Sequence, residues 1–268
     1  MDCWIVDAFT DQPFSGNQAA VVLLDPGDSR ASDASWMQGV AGDFNLAETA
    51  FLVPLGGRET YALRWFTPTV EVVLCGHATL ASAHVLWSTG RTQARELAFV
   101  TRQSGTLAAR LDAQSHVITI DLPSDPPVPS PTPPGLAEAL GVSPVAVGKA
   151  RENWLVEVAT AEEVRSARPD FKALAPIGTF GAILTAPGDG PYDVVSRFFV
   201  PSAGIDEDPV TGSAHCALAP WWEDKLGRSP LRCYQASARG GEMTARVEGD
   251  RVLLEGRATT ILTGQLHA

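Results

Sequence analysis

The chain has 268 residues, 45% of them apolar, and a formal net charge of −11. That length allows one large core or two smaller ones. The excess of acid repels phosphate, which argues against nucleic-acid and anionic-membrane partners but leaves a small anionic ligand open to local fields.

The opening run "MDCWIVDAF" reads as a strand, not as a basic-then-apolar leader. Every long apolar stretch is broken by Gly, His or Ser, so no membrane span is expected. The cysteines at 3, 75, 216 and 233 have neither metal-site spacing nor the density of a secreted scaffold. A cytoplasmic location follows as the expectation.

"SGNQAAVV" sets Asn17 and Gln18 between a turn and an apolar strand. Amides there either hold a ligand carboxylate or satisfy the turn's own backbone. "NLAETAFL" places Glu48 at a helix-to-strand junction beside Leu46, Ala47 and Phe51. A carboxylate among apolar neighbours is expensive to ionise and suited to moving protons. An exposed Glu at a helix end would give the same string.

"HATLASAHVLWST" is almost free of charge and reads as a helix buried on every side, closed by Gly90. Cys75 stands just before its first turn, where a thiolate is favoured, although a buried Cys is as readily inert packing. Beyond the strand "VITIDL" comes residues 122 to 135, with seven prolines. Proline sits poorly in helices and central strands, so this is an extended connector. The expected units are residues 1–121 with a returning strand at about 259–268, the Pro-rich linker 122–135, and residues 136–258.

The second half holds another long helix, "SAHCALAPWWEDKLG", which Pro220 is expected to bend or shorten. Landmarks recur between the halves in one order: "WIVD" and "WLVE", "AFLVP" and "AILTAP", "RWFTP" and "RFFVP", "GHA" and "GSA", "GTLAAR" and "GEMTAR". A repeat longer than 100 residues implies duplicated domains, not a solenoid. The expected fold is α+β: two pseudo-symmetric domains, each a curved, mostly antiparallel, barrel-like sheet around a central helix.

In both halves a strand ends at "FTP" or "FVP", and the core helix then begins with Gly and a polar residue. Unpaired N–H groups and a partial positive charge at a helix start favour anions. Two such ends facing one cleft would suit a small carboxylate. The plainer reading makes His77 and Ser213 ordinary N-terminal helix residues. The five histidines show no metal-ligand spacing, and no nucleotide fingerprint, P-loop or nucleophile elbow is present. Chemistry without a cofactor or metal points to proton transfer, or to plain binding.

"VDAFTDQPFSGNQAAVV", "NLAETAFL", "RWFTPTVEVVLCGHATLASAHVL" and "DEDPVTGSAH" together resemble the phenazine-biosynthesis PhzF-like family, along nearly the whole chain. That resemblance implies the diaminopimelate epimerase-like fold, a site between two lobes, a cofactor-independent isomerase and a homodimer. It implies Glu48 as general acid/base, with His77 and Asp208 assisting. It also implies Asn17, Cys75, Gly76, Thr211, Gly212 and Ser213 as substrate-binding positions. The substrate class is a small amino- or hydroxy-carboxylate like a dihydro-hydroxyanthranilate. Two alternatives stay open: an amino-acid racemase or epimerase acting through Cys75, and a non-catalytic protein that binds a carboxylated metabolite. The pair Trp221 and Trp222, among seven tryptophans, leaves room for an apolar dimer face.

Overall fold

A computed structural model describes residues 1–56, 59–177 and 180–268. The chain divides into two compact units, residues 1–122 with 255–268, and residues 123–254.

In the first unit, β1 (Asp2–Ala8) and β2 (Asn17–Leu23) form an antiparallel hairpin. The connecting turn needs Gly16 at φ +66, where a Cβ would strike the Ala8 carbonyl. Helix α1 (Ala34–Phe44) is capped by the Asp33 side chain and ends at Asn45 in the left-handed region. It packs Met37, Val40 and Ala41 against Phe51 and Phe66. Next come β3 (Glu48–Pro54), parallel to β2, and β4 (Thr60–Phe66), antiparallel to β3. The short β5 (Glu71–Val72) pairs with β4 and leads into helix α2 (Gly76–Ser88). Strands β6 (Glu96–Val100), β7 (Thr106–Leu111) and β8 (Ile118–Pro123) extend the sheet by antiparallel steps. β6 itself joins β4 in parallel.

Ten of the thirteen α2 residues are buried, from Gly76 through Ala83 and at Val85 and Leu86. A helix apolar all round has no face to give to water, so the sheet must enclose it. It packs on β1, β2 and β3, and Gly90 at φ +69 follows its end.

The second unit repeats this order. β9 (Val128–Pro129) pairs with β10 (Ala146–Lys149), so part of the Pro-rich run lies in a ladder. Helix α3 (Leu136–Leu140) intervenes. β11 (Asn153–Glu157) is antiparallel to β10. Two short helices, α4 (Ala161–Ser166) and α5 (Phe171–Leu174), precede β12 (Gly181–Pro187), which is parallel to β11. β13 (Val194–Phe199) and the short β14 (Glu207–Asp208) follow by antiparallel steps. Then come helix α6 (Gly212–Leu226), β15 (Leu231–Gln235), β16 (Gly241–Glu248) and β17 (Arg251–Gly256). The final strand, β18 (Ala258–Gln265), returns to the first unit and pairs antiparallel with β1.

Register corrects one of the five sequence matches. The antiparallel-then-parallel pattern of β1, β2 and β3 is that of β10, β11 and β12. "WLVE", on β11, therefore corresponds to residues 20–23 on β2, not to "WIVD" on β1. Chemical likeness between two buried strands misled the alignment. The other four pairs fall on equivalent elements.

Pro220 does not shorten α6, which runs fifteen residues through it. Proline lacks the N–H that would reach the carbonyl four residues back, at Cys216. The Asp125 N–H takes that carbonyl instead, at 3.0 Å. Trp221 and Trp222 are not interface candidates: they are buried, with their indole N–H groups on Glu157 Oε2 at 2.7 Å and Thr185 Oγ1 at 3.0 Å. None of the seven tryptophans is exposed.

Candidate active site

Within the first unit, four predicted residues come together. Asn17 opens β2 and Glu48 opens β3, on neighbouring parallel strands where Ala19 faces Glu48. Cys75 is the N-cap of α2, and Gly76 and His77 are its first residues. Asn17, Cys75 and His77 are buried, and the Glu48 side chain is 18% exposed.

His77 is the centre of the group. Its Nε2 lies 3.1 Å from Glu48 Oε2. Its Nδ1 lies 3.2 Å from Asn17 Nδ2 and 3.6 Å from Cys75 Sγ. Burial works against a charge on His77, but Cys75 and Glu48 outweigh it, and the ring holds its proton well above the usual histidine range. The Cys75 thiol is also pushed up, by burial first and then by the Glu48 carboxylate. The expected thiolate at this helix start is thus overridden by burial. An imidazolium donates from both nitrogens, and in that state Asn17 presents its amide oxygen to Nδ1.

Glu48, Cys75 and His77 offer ligand atoms within 4.8 Å of one another. Yet the carboxylate sits at Nε2 and the thiol at Nδ1. The arrangement is suited to holding and passing protons.

Within the second unit, Asp208, Thr211, Gly212 and Ser213 lie on one turn. Thr211 is the N-cap of α6 but makes no side-chain cap. Its hydroxyl donates to Asp208 Oδ2 instead. Its N–H donates to Gln235 Oε1 at 2.8 Å. Ser213 is the second residue of the helix. Glu207 belongs to the scaffold, in a two-pronged ion pair with Arg197 at 2.8 Å on each arm.

Sequence reasoning missed three side chains. Gln235 braces the second turn. Thr79 Oγ1 and His215 Nδ1 each bond the carbonyl of their helix's N-cap, at 2.6 Å to Cys75 and 2.7 Å to Thr211. The fourth position of each helix, counted from its opening glycine, was a signal for the last two. No signal marked Gln235.

The family model for phenazine biosynthesis-like proteins (PhzC-PhzF) matches residues 6–264. The chain belongs to that family. An uncharacterized isomerase of Halalkalibacterium halodurans is 43% identical over 265 residues, covering 98% of this chain and 97% of the relative. An uncharacterized isomerase of Pseudomonas aeruginosa is 45% identical over 262 residues, with the same coverage. A crystal structure of a phenazine biosynthesis protein of the PhzF family from Enterococcus faecalis superposes with a TM-score of 0.91, at 40% identity, covering 100% of this chain and 99% of that one. The PhzF-family chain described here accordingly has the α+β, diaminopimelate epimerase-like fold expected from its sequence. Among its described residues, no helix is long and apolar enough to cross a membrane.

Proposed function

We propose that this protein is an isomerase that moves a proton on a small amino- or hydroxy-carboxylate, with Glu48 as the general acid/base. Two relatives named as isomerases, each more than 40% identical across nearly the full length, support the reaction class. The observation that carries the residue assignment is the Glu48–His77 pair, 3.1 Å apart at the mouths of β3 and α2.

Glu48 is the part of the cluster that reaches solvent, so it can meet a substrate C–H bond. His77 orients the carboxylate, while Asn17 fixes the ring from its other side. Glu48 takes the proton from one carbon and returns it to another carbon of the same molecule. Base catalysis of this kind contributes about 10²–10⁴-fold, and positioning adds more. In the second unit, the N–H groups of Gly212 and Ser213 are assigned to a carboxylate, the Thr211 N–H being taken by Gln235, and Asp208 to a neighbouring polar group such as an amine. Work without a cofactor, in the cytoplasm and as a homodimer, rests on family membership.

Heavy-water exchange on a panel of cyclic amino-carboxylates tests this. Wild type is expected to place solvent deuterium on carbon. Glu48→Gln should lose that exchange while keeping its circular-dichroism spectrum, and exchange retained in the variant would refute the role. The racemase reading asks Cys75 to act as a thiolate, which burial opposes. Near-normal turnover in Cys75→Ala would end that reading.

A further inference from the structure

Gln235 closes β15, and its side chain is wholly buried. Its Oε1 accepts the Thr211 N–H at 2.8 Å. Its Nε2 donates to the Asp208 carbonyl at 2.8 Å and to Thr211 Oγ1 at 3.2 Å. One amide therefore binds the turn at three points. With the amide donating to the oxygen of the Thr211 hydroxyl, that hydroxyl's own hydrogen goes to Asp208. A threonine at an N-cap ordinarily accepts from the N–H two or three residues on. Here that bond is not made.

The first unit shows that the brace is particular to the second. Ser237 Oγ holds the Pro209 carbonyl at 2.7 Å, and Ser104 Oγ holds the equivalent Val73 carbonyl at 2.8 Å. That tether is common to both units. By strand register, Thr101 occupies the place of Gln235. Its hydroxyl stays within its own hairpin, bonding the Gly105 carbonyl at 2.8 Å and the Ser104 N–H at 2.9 Å.

We infer that Gln235 is a positioning residue: it holds the Thr211 hydroxyl on Asp208 and off the start of α6. This rests on the reading above, in which Asp208 and the Thr211–Ser213 turn hold the substrate. Without the amide, the hydroxyl oxygen is open to the Ala214 N–H, and the helix start closes on itself.

Two measurements separate the inference from that reading. In Gln235→Leu, hydrogen exchange at the Ala214 amide should slow about fivefold, as for an ordinary cap. The dissociation constant for 2-aminobenzoate, used as the probe, should rise about tenfold, because the hydroxyl then sits at the helix start that would hold its anion. Adding Thr211→Val removes the competing hydroxyl and should return Ala214 exchange to within about twofold of wild type, since valine cannot cap. Ala214 exchange that stays slow in the double variant, or that fails to slow in the single one, would overturn the inference. Should Gln235→Leu not fold, Gln235→Glu serves. Its carboxylate still accepts the Thr211 N–H but has no hydrogen for Thr211 Oγ1, so both shifts are again expected. Wild type that ignores 2-aminobenzoate while Ala214 exchange behaves as expected would sink the substrate class and leave the role of Gln235 standing.

Discussion

The two units share a frame and differ where chemistry would act. Arg64 pairs with Glu71 at 2.8 and 2.9 Å and lies 5.1 Å from the Phe66 ring centre. Arg197 pairs with Glu207 at 2.8 Å on both arms and lies 4.8 Å from the Phe199 ring centre. The pair ties β4 to β5 and β13 to β14 alike, just ahead of each core helix. Beyond it, the equivalences diverge. Cys75 corresponds to Thr211, His77 to Ser213, Thr79 to His215 and Val72 to Asp208. Register places Gly181 opposite Asn153 as Glu48 is placed opposite Ala19. The first unit keeps a partly exposed acid and a buried imidazole, and the second has hydroxyls, an amide and backbone in those places. Where the first unit has the Glu48–His77 pair, the second has Gly181 and Ser213.

The largest expected effect of breaking this asymmetry is on activity. Glu48→Gln should lower proton exchange by about 10²–10⁴-fold with little change in melting temperature. The two histidines give the next test, because they titrate toward opposite ends of the pH scale. Burial lowers the pKa of His215 to about 4. A buried neutral ring disfavours protonation, so its stability is full above about pH 6.5 and is lost as pH falls toward 4. By linkage this amounts to about 3 kcal/mol. Burial also lowers the His84 pKa to about 4, so the measurement compares urea midpoints of wild type and His215→Asn from pH 7 to pH 4. For His77 the sign reverses. Its raised pKa gives stability that is full below about pH 6.5 and fades as pH rises through the folded value. His77→Gln should therefore flatten the alkaline limb and leave the acid limb alone.

A smaller effect comes from trying to restore symmetry. A Cβ at Gly181 would lie 2.6 Å from Val200 Cγ1 and 2.7 Å from the Phe198 ring. Gly181→Ala should cost about 1–3 kcal/mol in denaturant titration through overpacking. Equal stability would mean the second unit could still accept a side chain where the first has its acid. The smallest expected effect is in the shared frame. Double-mutant cycles on Arg64–Glu71 and Arg197–Glu207, each half-buried, should give similar couplings of about 1–2 kcal/mol. A pair contributing in only one unit would show that the frame, too, has diverged.

Much of the fold was legible in the residues. Helix α2 announced itself by an apolar run with no polar face, and β18 by having no counterpart in the first half's order of landmarks. The Glu48 and His77 positions followed from the family resemblance, not from local chemistry. Their meeting was invisible, because a strand start and a helix start 29 residues apart adjoin only once β3 and the helix share a sheet mouth. Gln235 was illegible for a related reason: an amide at the end of a strand looks like any edge residue until a turn 24 residues earlier folds against it. The "WIVD" match failed because buried strands draw on few residue types, and only hydrogen-bond register tells them apart.

The carbonyl that Pro220 leaves bare ties the Pro-rich run to the middle of the core helix. Asp125 donates its N–H there, and its carboxylate receives the Arg151 N–H at 3.2 and 3.3 Å. A run that looks like loose cord is in fact pegged at its upstream end. New chain termini or a cleavage site would be borne among the exposed residues near Pro131, while a break beside Asp125 would unfasten α6 at its midpoint.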